Sequence, residues 1–397
     1  MINRRRFLEL SATASLAWNA RSAVAKTISP DPRLVLMILR GGMDGLAAVP
    51  PYADSAYRKR RGELALPSPE SAGGSNDLDG FFGLHPSFAT FHPLFEAGEL
   101  SVVHAVAPPY RDRSHFDAQD VLETGIPAPS ASSDGWLYRA LATLPGAVRA
   151  DEYAMAIGGA VPRVLRGAKP VGAWSPDRLP EPDDDTMARI VSLYEHDAIL
   201  GPKLRTMMNM ENMMGDTINQ RSQSNRNNAL AGVIKVAAEF LRHESGPRVA
   251  VLESGGWDTH ARQGGLQGQL ANRFASLDGI VDQFRTELRD VWRQTVLMIV
   301  TEFGRTVAMN GTRGSDHGVA GAAFVMGGAV VGGKVLTDWP GLKSAALYEG
   351  RDLMPTMDIR ALFKTVLIDH LGADTGAVDE FVFPESRLTG LKGLIRV

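Results

Sequence analysis

The stretch that most constrains this chain is Thr295–Thr306, TVLMIVTEFGRT. Five of its first six residues are apolar and no turn former interrupts them, so it reads as a strand buried on both faces. Such a segment needs strands on either side of it and covering layers above and below. It runs directly into Thr301-Glu302-Phe303-Gly304-Arg305. A carboxylate at the carboxyl end of a buried strand lies where open α/β sheets place their ligand chemistry. Three other segments are built to meet Glu302 there: Gly41–Gly45 (GGMDG), Gly255–His260 (GGWDTH) and Ser315–Gly318 (SDHG).

The rest of the chain supplies the layers. Arg33–Leu39, Leu100–Val106, Arg248–Leu252 and Ala322–Met326 are short apolar runs that read as further strands. Between them, Phe88–Ala97, Ser114–Thr124, Leu270–Val291 and Met357–Leu371 have helical spacing, as does the segment from Asp134 to Leu144. Ser114 is placed as an N-cap with Asp117 three residues later, and Gly372 closes the last helix. This alternation predicts an α/β fold, a mainly parallel sheet with helices on both faces. Residues 51–83 are polar and rich in Gly, Ser and Pro, which reads as a surface excursion. Residues 151–245 read as a largely helical cap or insertion within a single domain spanning 26–397.

The first 25 residues have the order of an export signal. Arg4-Arg5-Arg6 precede Phe7-Leu8, a weakly apolar run follows from Leu10 to Trp18, and Ala23-Val24-Ala25 forms a cleavage site. The paired arginines are those of a twin-arginine leader, which implies the twin-arginine export machinery as a partner and the periplasm as destination. No run is long and apolar enough for a transmembrane helix. A net charge of −3 with no basic cluster outside the leader argues against nucleic-acid binding. The chain has no cysteine, so disulfides and thiolate metal sites are excluded. Any metal must be held by Asp, Glu, His or hydroxyl groups.

Four groups could hold one. Asp44, between glycines, is either a ligand or an Asx-turn residue. Asp258 and His260 sit two apart, so in an extended loop both face one cation; otherwise His260 is a loop histidine held by its neighbour. Glu302 is a third carboxylate or the ion-pair partner of Arg305. Asp316-His317-Gly318 offers a second imidazole, or a capping Asp beside an exposed His. Mixed His and carboxylate ligands suit Zn²⁺, Mn²⁺ or Fe better than Ca²⁺. Ser114 is a candidate nucleophile at a helix N-terminus, with Arg111 and Arg113 near enough to clamp an oxyanion, or else a simple cap. His115, Asp117 and Asp316 are reserve ligands or orienters of ligands. Met207, Met210 and Met214 fall on one helical face, which reads as apolar packing before it reads as a copper site.

The strings LRGGMDGL (39–46), YRDRSHFDAQD (110–120), ESGGWDTH (253–260), TEFGRT (301–306) and DHG (316–318) together resemble the exported bacterial family known as domain of unknown function 1501. That family is grouped with the alkaline-phosphatase-like superfamily of phosphatases, sulfatases and phosphomutases. The resemblance implies that Asp44 matches a first-strand metal ligand and Ser114 the nucleophile. Asp258, His260, Glu302 and His317 would match later ligand positions. The chain departs in having Glu302-Phe303 where phosphatases of the superfamily have Asp-His. It also lacks the Cys or Ser-x-Pro-x-Arg from which sulfatases make formylglycine. The expectation is an exported, metal-dependent hydrolase of phosphate or sulfate esters, acting on a small anionic ester or an envelope component. Asp44, Asp258, His260, Glu302 and His317 would be the ligands, Ser114 the nucleophile and Arg113 the oxyanion stabiliser. The alternative is a non-catalytic periplasmic binding or envelope-assembly protein with a degenerate site.

Overall fold

A computed structural model describes residues 31–146, 150–175, 226–384 and 386–396, with 190, 194, 197 and 200–205 besides. The leader and the methionines at 207, 210 and 214 lie outside the described residues. Arg33–Leu39 forms strand β1, and all seven of its residues are buried. Burial on both faces is why its apolar run is unbroken. Val35, Met37 and Leu39 enter one core and Leu34, Leu36 and Ile38 the other.

The further strands of this sheet are β2 (Leu100–Ala107), β3 (Ala154–Ile157), β4 (Gly172–Trp174), β5 (Val249–Ser254), β6 (Thr295–Thr301), β7 (Gly321–Met326), β8 (Lys334–Leu336) and β9 (Met357–Asp358). Their order is β8-β2-β7-β6-β1-β5-β3-β4, with β9 on β2. β1 pairs in parallel with β5 and β6, Leu39 standing opposite Ser254 and Thr301. β7 alone runs antiparallel, between β2 and β6.

Helices cover both faces, as the alternation predicts. α1 (Phe91–Glu96), α4 (Arg226–Arg242) and α5 (Gln269–Leu288) pack on the first core. α2 (His115–Thr124), α3 (Trp136–Leu141) and α6 (Ile359–Thr365) pack on the second. No helix among the described residues is long and apolar enough to cross a membrane.

Two expectations need revision. Residues 51–83 bury Tyr57, Arg61, Leu64, Leu66 and Phe82, so this polar stretch is anchored inward. In 151–245 the described residues supply β3 and β4 to the main sheet as well as α4, rather than helix alone. The short runs AMAI and GAW were too brief to separate from loop by periodicity.

Candidate metal centre

The loops after β1, β5 and β6 and the one before β7 meet at one end of the sheet, where the N-terminus of α2 also arrives. Gly41 makes the first approach possible. Its φ is +121°, and a Cβ there would lie 2.5 Å from the Asp258 nitrogen. Gly304 lies so close to Ala320 that a side chain would overlap its carbonyl at 1.8 Å. α2 is held in place by Glu123, which pairs with Arg40 at 2.8 Å and accepts from the Val164 nitrogen at 2.9 Å.

His115, Asp258 and His317 offer ligand atoms within 4.8 Å of one another. His260 adjoins them, its Nε2 lying 2.9 Å from His317 Nε2 and 3.0 Å from Asp258 Oδ1. His317 Nε2 is 3.3 Å from that same oxygen. His115 Nε2 is 3.4 Å from Asp258 Oδ2, buried and without a hydrogen-bond partner.

The outward nitrogens explain how these rings are set. His115 Nδ1 is 2.7 Å from Glu302 Oε1, His260 Nδ1 is 3.1 Å from Asp316 Oδ1, and His317 Nδ1 is 3.0 Å from the Arg113 carbonyl. A carbonyl or ionised carboxylate only accepts, so each Nδ1 carries the proton. In the neutral rings every Nε2 then turns a lone pair inward. Two such lone pairs 2.9 Å apart, with a carboxylate oxygen beside them, repel unless a proton or a metal cation lies among them. Imidazoles oriented through an oxygen on the far nitrogen are the usual supports of a metal site. Edges of 2.9, 3.0 and 3.3 Å also suit one cation at roughly 2.1 Å from each atom. The donors fit a transition-metal dication.

Charges around the centre are largely compensated. Arg305, fully buried, donates to Asp258 Oδ1 at 2.5 Å and also to the Ser315 backbone. Burial would raise the Asp258 carboxyl, but Arg305 together with His260 and His317 outweighs it and the pKa falls. Glu302 behaves alike: burial raises it, and hydrogen bonds from His115, Gln119 and the Gly41 amide carry it lower. The Asn310 amide and His260 lower Asp316. The Glu302 hydrogen bond raises His115 against its burial, whereas burial and the neighbouring His115 lower His317.

Of the expected ligands, Asp258, His260 and His317 are brought together. Glu302 is not among them; its Oε1 accepts from Gly41, His115 and Gln119, and its Oε2 lies 2.9 Å from Thr301 Oγ1. Asp44 is also elsewhere, 1% exposed and paired with the buried Arg61 at 2.5 Å and with Gln263 at 2.7 Å. His115 stands beside Asp258 and His317 in their stead. Ser114 caps α2, its Oγ accepting from the Asp117 amide at 3.5 Å. The Arg113 guanidinium, expected to face an oxyanion, is bound to Asp352 and Glu349. Arg305 pairs with Asp258 and not with Glu302. Gln119 was detectable as the residue one helical turn beyond His115. Nothing in the sequence pointed to Arg61 as the partner of Asp44.

Among families, the one described as "Protein of unknown function (DUF1501)" matches residues 104–382. No curated protein matches the chain. Among solved structures, the C-terminal periplasmic domain of EcEptC from Escherichia coli, in complex with Zn, is similar at 12% identity. The likeness covers 92% of this chain and 93% of that one, with a TM-score of 0.38. Phosphonate monoester hydrolase of Agrobacterium radiobacter is similar at 12% identity over 86% of this chain and 74% of that one, with a TM-score of 0.36.

Proposed function

This chain belongs to the DUF1501 family, and from that premise we propose that it is an exported, metal-dependent hydrolase of phosphate or sulfate esters. The observation that carries the reading is the group of inward Nε2 atoms around Asp258, each ring fixed by an oxygen on its Nδ1. His115, Asp258, His260 and His317 would hold a divalent cation. When bound, the cation supplies a Lewis acid that neutralises charge on an ester oxygen and lowers the pKa of a water.

The chain's own groups set the rest. Arg305 cancels the charge of Asp258, so three neutral imidazoles leave the cation's charge free to attract an anion. The N-terminus of α2 adds amides that favour a negative group. Glu302, Asp316 and the Arg113 carbonyl keep the Nδ1 protons where they are, so the rings do not turn during the reaction. Ser114 is the proposed nucleophile, on the one element that also carries a ligand. Export rests on the leader-like first 25 residues. A second reading, an envelope-binding protein with an inactive site, is favoured by the commitment of Ser114 to its cap and of Arg113 to two carboxylates.

The test is elemental analysis of the exported protein and of Asp258→Ala/His317→Ala, followed by a panel of phosphate and sulfate esters. We expect about one equivalent of transition metal, lost in the double variant, with turnover abolished in that variant and in Ser114→Ala. Stoichiometric metal retained by a folded double variant would sink the site assignment. Metal without turnover on any ester would favour the binding-protein reading.

A further inference from the structure

We propose that Asp352 is a positioning residue for His317, which it controls through two arginines without touching the imidazole. The Asp352 side chain is fully buried. Its Oδ2 accepts from Arg113 Nε at 2.7 Å and its Oδ1 from Arg351 Nε at 2.9 Å. Both arginines go on to grip His317. The Arg113 carbonyl accepts from His317 Nδ1 at 3.0 Å, and Arg351 Nη2 donates to the His317 carbonyl at 2.6 Å. One carboxylate thus governs the ring from its far nitrogen and the backbone from its carbonyl.

The backbone around these contacts is prepared for the task. Arg113 holds a φ of +64°, a left-handed conformation that a non-glycine residue adopts at a cost. That conformation accompanies the carbonyl that meets His317, and the Asp352 grip on the side chain opposes its relaxation. Asp352 is itself fixed by reciprocal backbone hydrogen bonds with Tyr348, at 2.9 and 3.0 Å, and by a bridge to Thr306. One residue before Thr306, Arg305 bridges to His317. Position 352 and position 317 are therefore pinned to the same short stretch, so a change in one grip is felt at the ring. A carboxylate is needed because it accepts from two guanidinium groups and cancels repulsion between them, which one amide oxygen cannot do.

The inference rests on reading His317 as part of a cation site, and the test separates the two ideas. The full chain is compared with Asp352→Asn, Arg351→Met and, as a control, Glu349→Gln, whose carboxylate binds Arg113 from the exposed side. Ring nitrogen NMR of the metal-free protein reports the His317 tautomer, and titration with Co²⁺ reports affinity. We expect a single Nδ1–H tautomer in the parent protein and a mixture in Asp352→Asn. Co²⁺ binding should weaken by roughly 10- to 100-fold, as is usual when the support of a ligand is removed. Glu349→Gln should stay within about twofold of the parent on that scale. Arg351→Met, at a half-exposed position, is expected to shift tautomer and affinity in the same direction and decides the matter should Asp352→Asn not fold. An unchanged tautomer and affinity in a folded variant overturns the proposal. A parent protein that binds no Co²⁺, with the tautomer still scrambled by Asp352→Asn, overturns the cation reading and leaves the positioning role standing.

Discussion

Asp44 and Asp258 both follow central strands, yet their surroundings give them opposite work. Asp44 is sealed with Arg61, both essentially inaccessible, and it also caps the four-residue helix Gly45–Ala48. Asp258 is partly exposed and shares its oxygens among Arg305 and the histidines. Removing one partner of a buried ion pair strands the other charge, at a cost of about 3–5 kcal/mol. Asp44→Asn should therefore lower unfolding free energy by that order while the folded fraction keeps its metal. Asp258→Ala should lose the metal, and because it strands the buried Arg305 it should lower the unfolding free energy as well. Urea titrations paired with metal analysis check this, and metal loss in a stable Asp44→Asn protein would contradict it. Sequence alone could not divide the two roles. Both residues occupy a glycine-flanked strand end, and what separates them is an arginine at 61 or at 305. Such partners are chosen by tertiary distance, which spacing does not encode.

At the scale of elements, buried histidines act as joints. The Ala105 amide donates to His104 Nδ1, so His104 Nε2 carries the proton and donates to the Val49 carbonyl at 3.0 Å. This ties β2 to the segment just after Asp44. His370 Nε2 donates to the Arg33 carbonyl at 2.8 Å and ties the C-terminal helical segment to β1. Burial pushes both down to about 4. The unfolded chain, with histidines near 6.5, takes up protons first as the pH falls. Stability should thus decline from about pH 6.5 toward 4, by on the order of 3 kcal/mol for each histidine across that window. Denaturant titrations at pH 7 and pH 5 would measure it, and equal stabilities at those two values would refute it. Elements themselves were largely legible. β1, β2, β6 and α5 stand within about two or three residues of their expected places because unbroken apolar runs and helical periodicity survive in buried segments. The first turn of α2 shows the limit. Its boundary and its Ser114 cap were readable, but the contact of the next residue, His115, with Glu302 was not, because the two lie 187 residues apart in the chain.

For the whole molecule, strand order matters more than strand content. β1 has β6 on one side and β5 on the other, and both come from the last third or so of the polypeptide. A chain ending at residue 247 would hold β1, β2, β3 and β4 but neither neighbour of β1. We expect it to show no cooperative unfolding transition and no slow amide exchange at Leu34–Leu39. Protected amides there would mean that the sheet nucleates locally after all. During synthesis the same order becomes a matter of time. After β1 is made, about 200 residues must be added before β5 exists, which takes on the order of 10–40 s at ordinary ribosomal rates. Throughout that interval seven sheet-forming residues, RLVLMIL, stay unpaired in the most aggregation-prone form a strand can take. The producing cell would have to shield them until translation is well past the middle of the message.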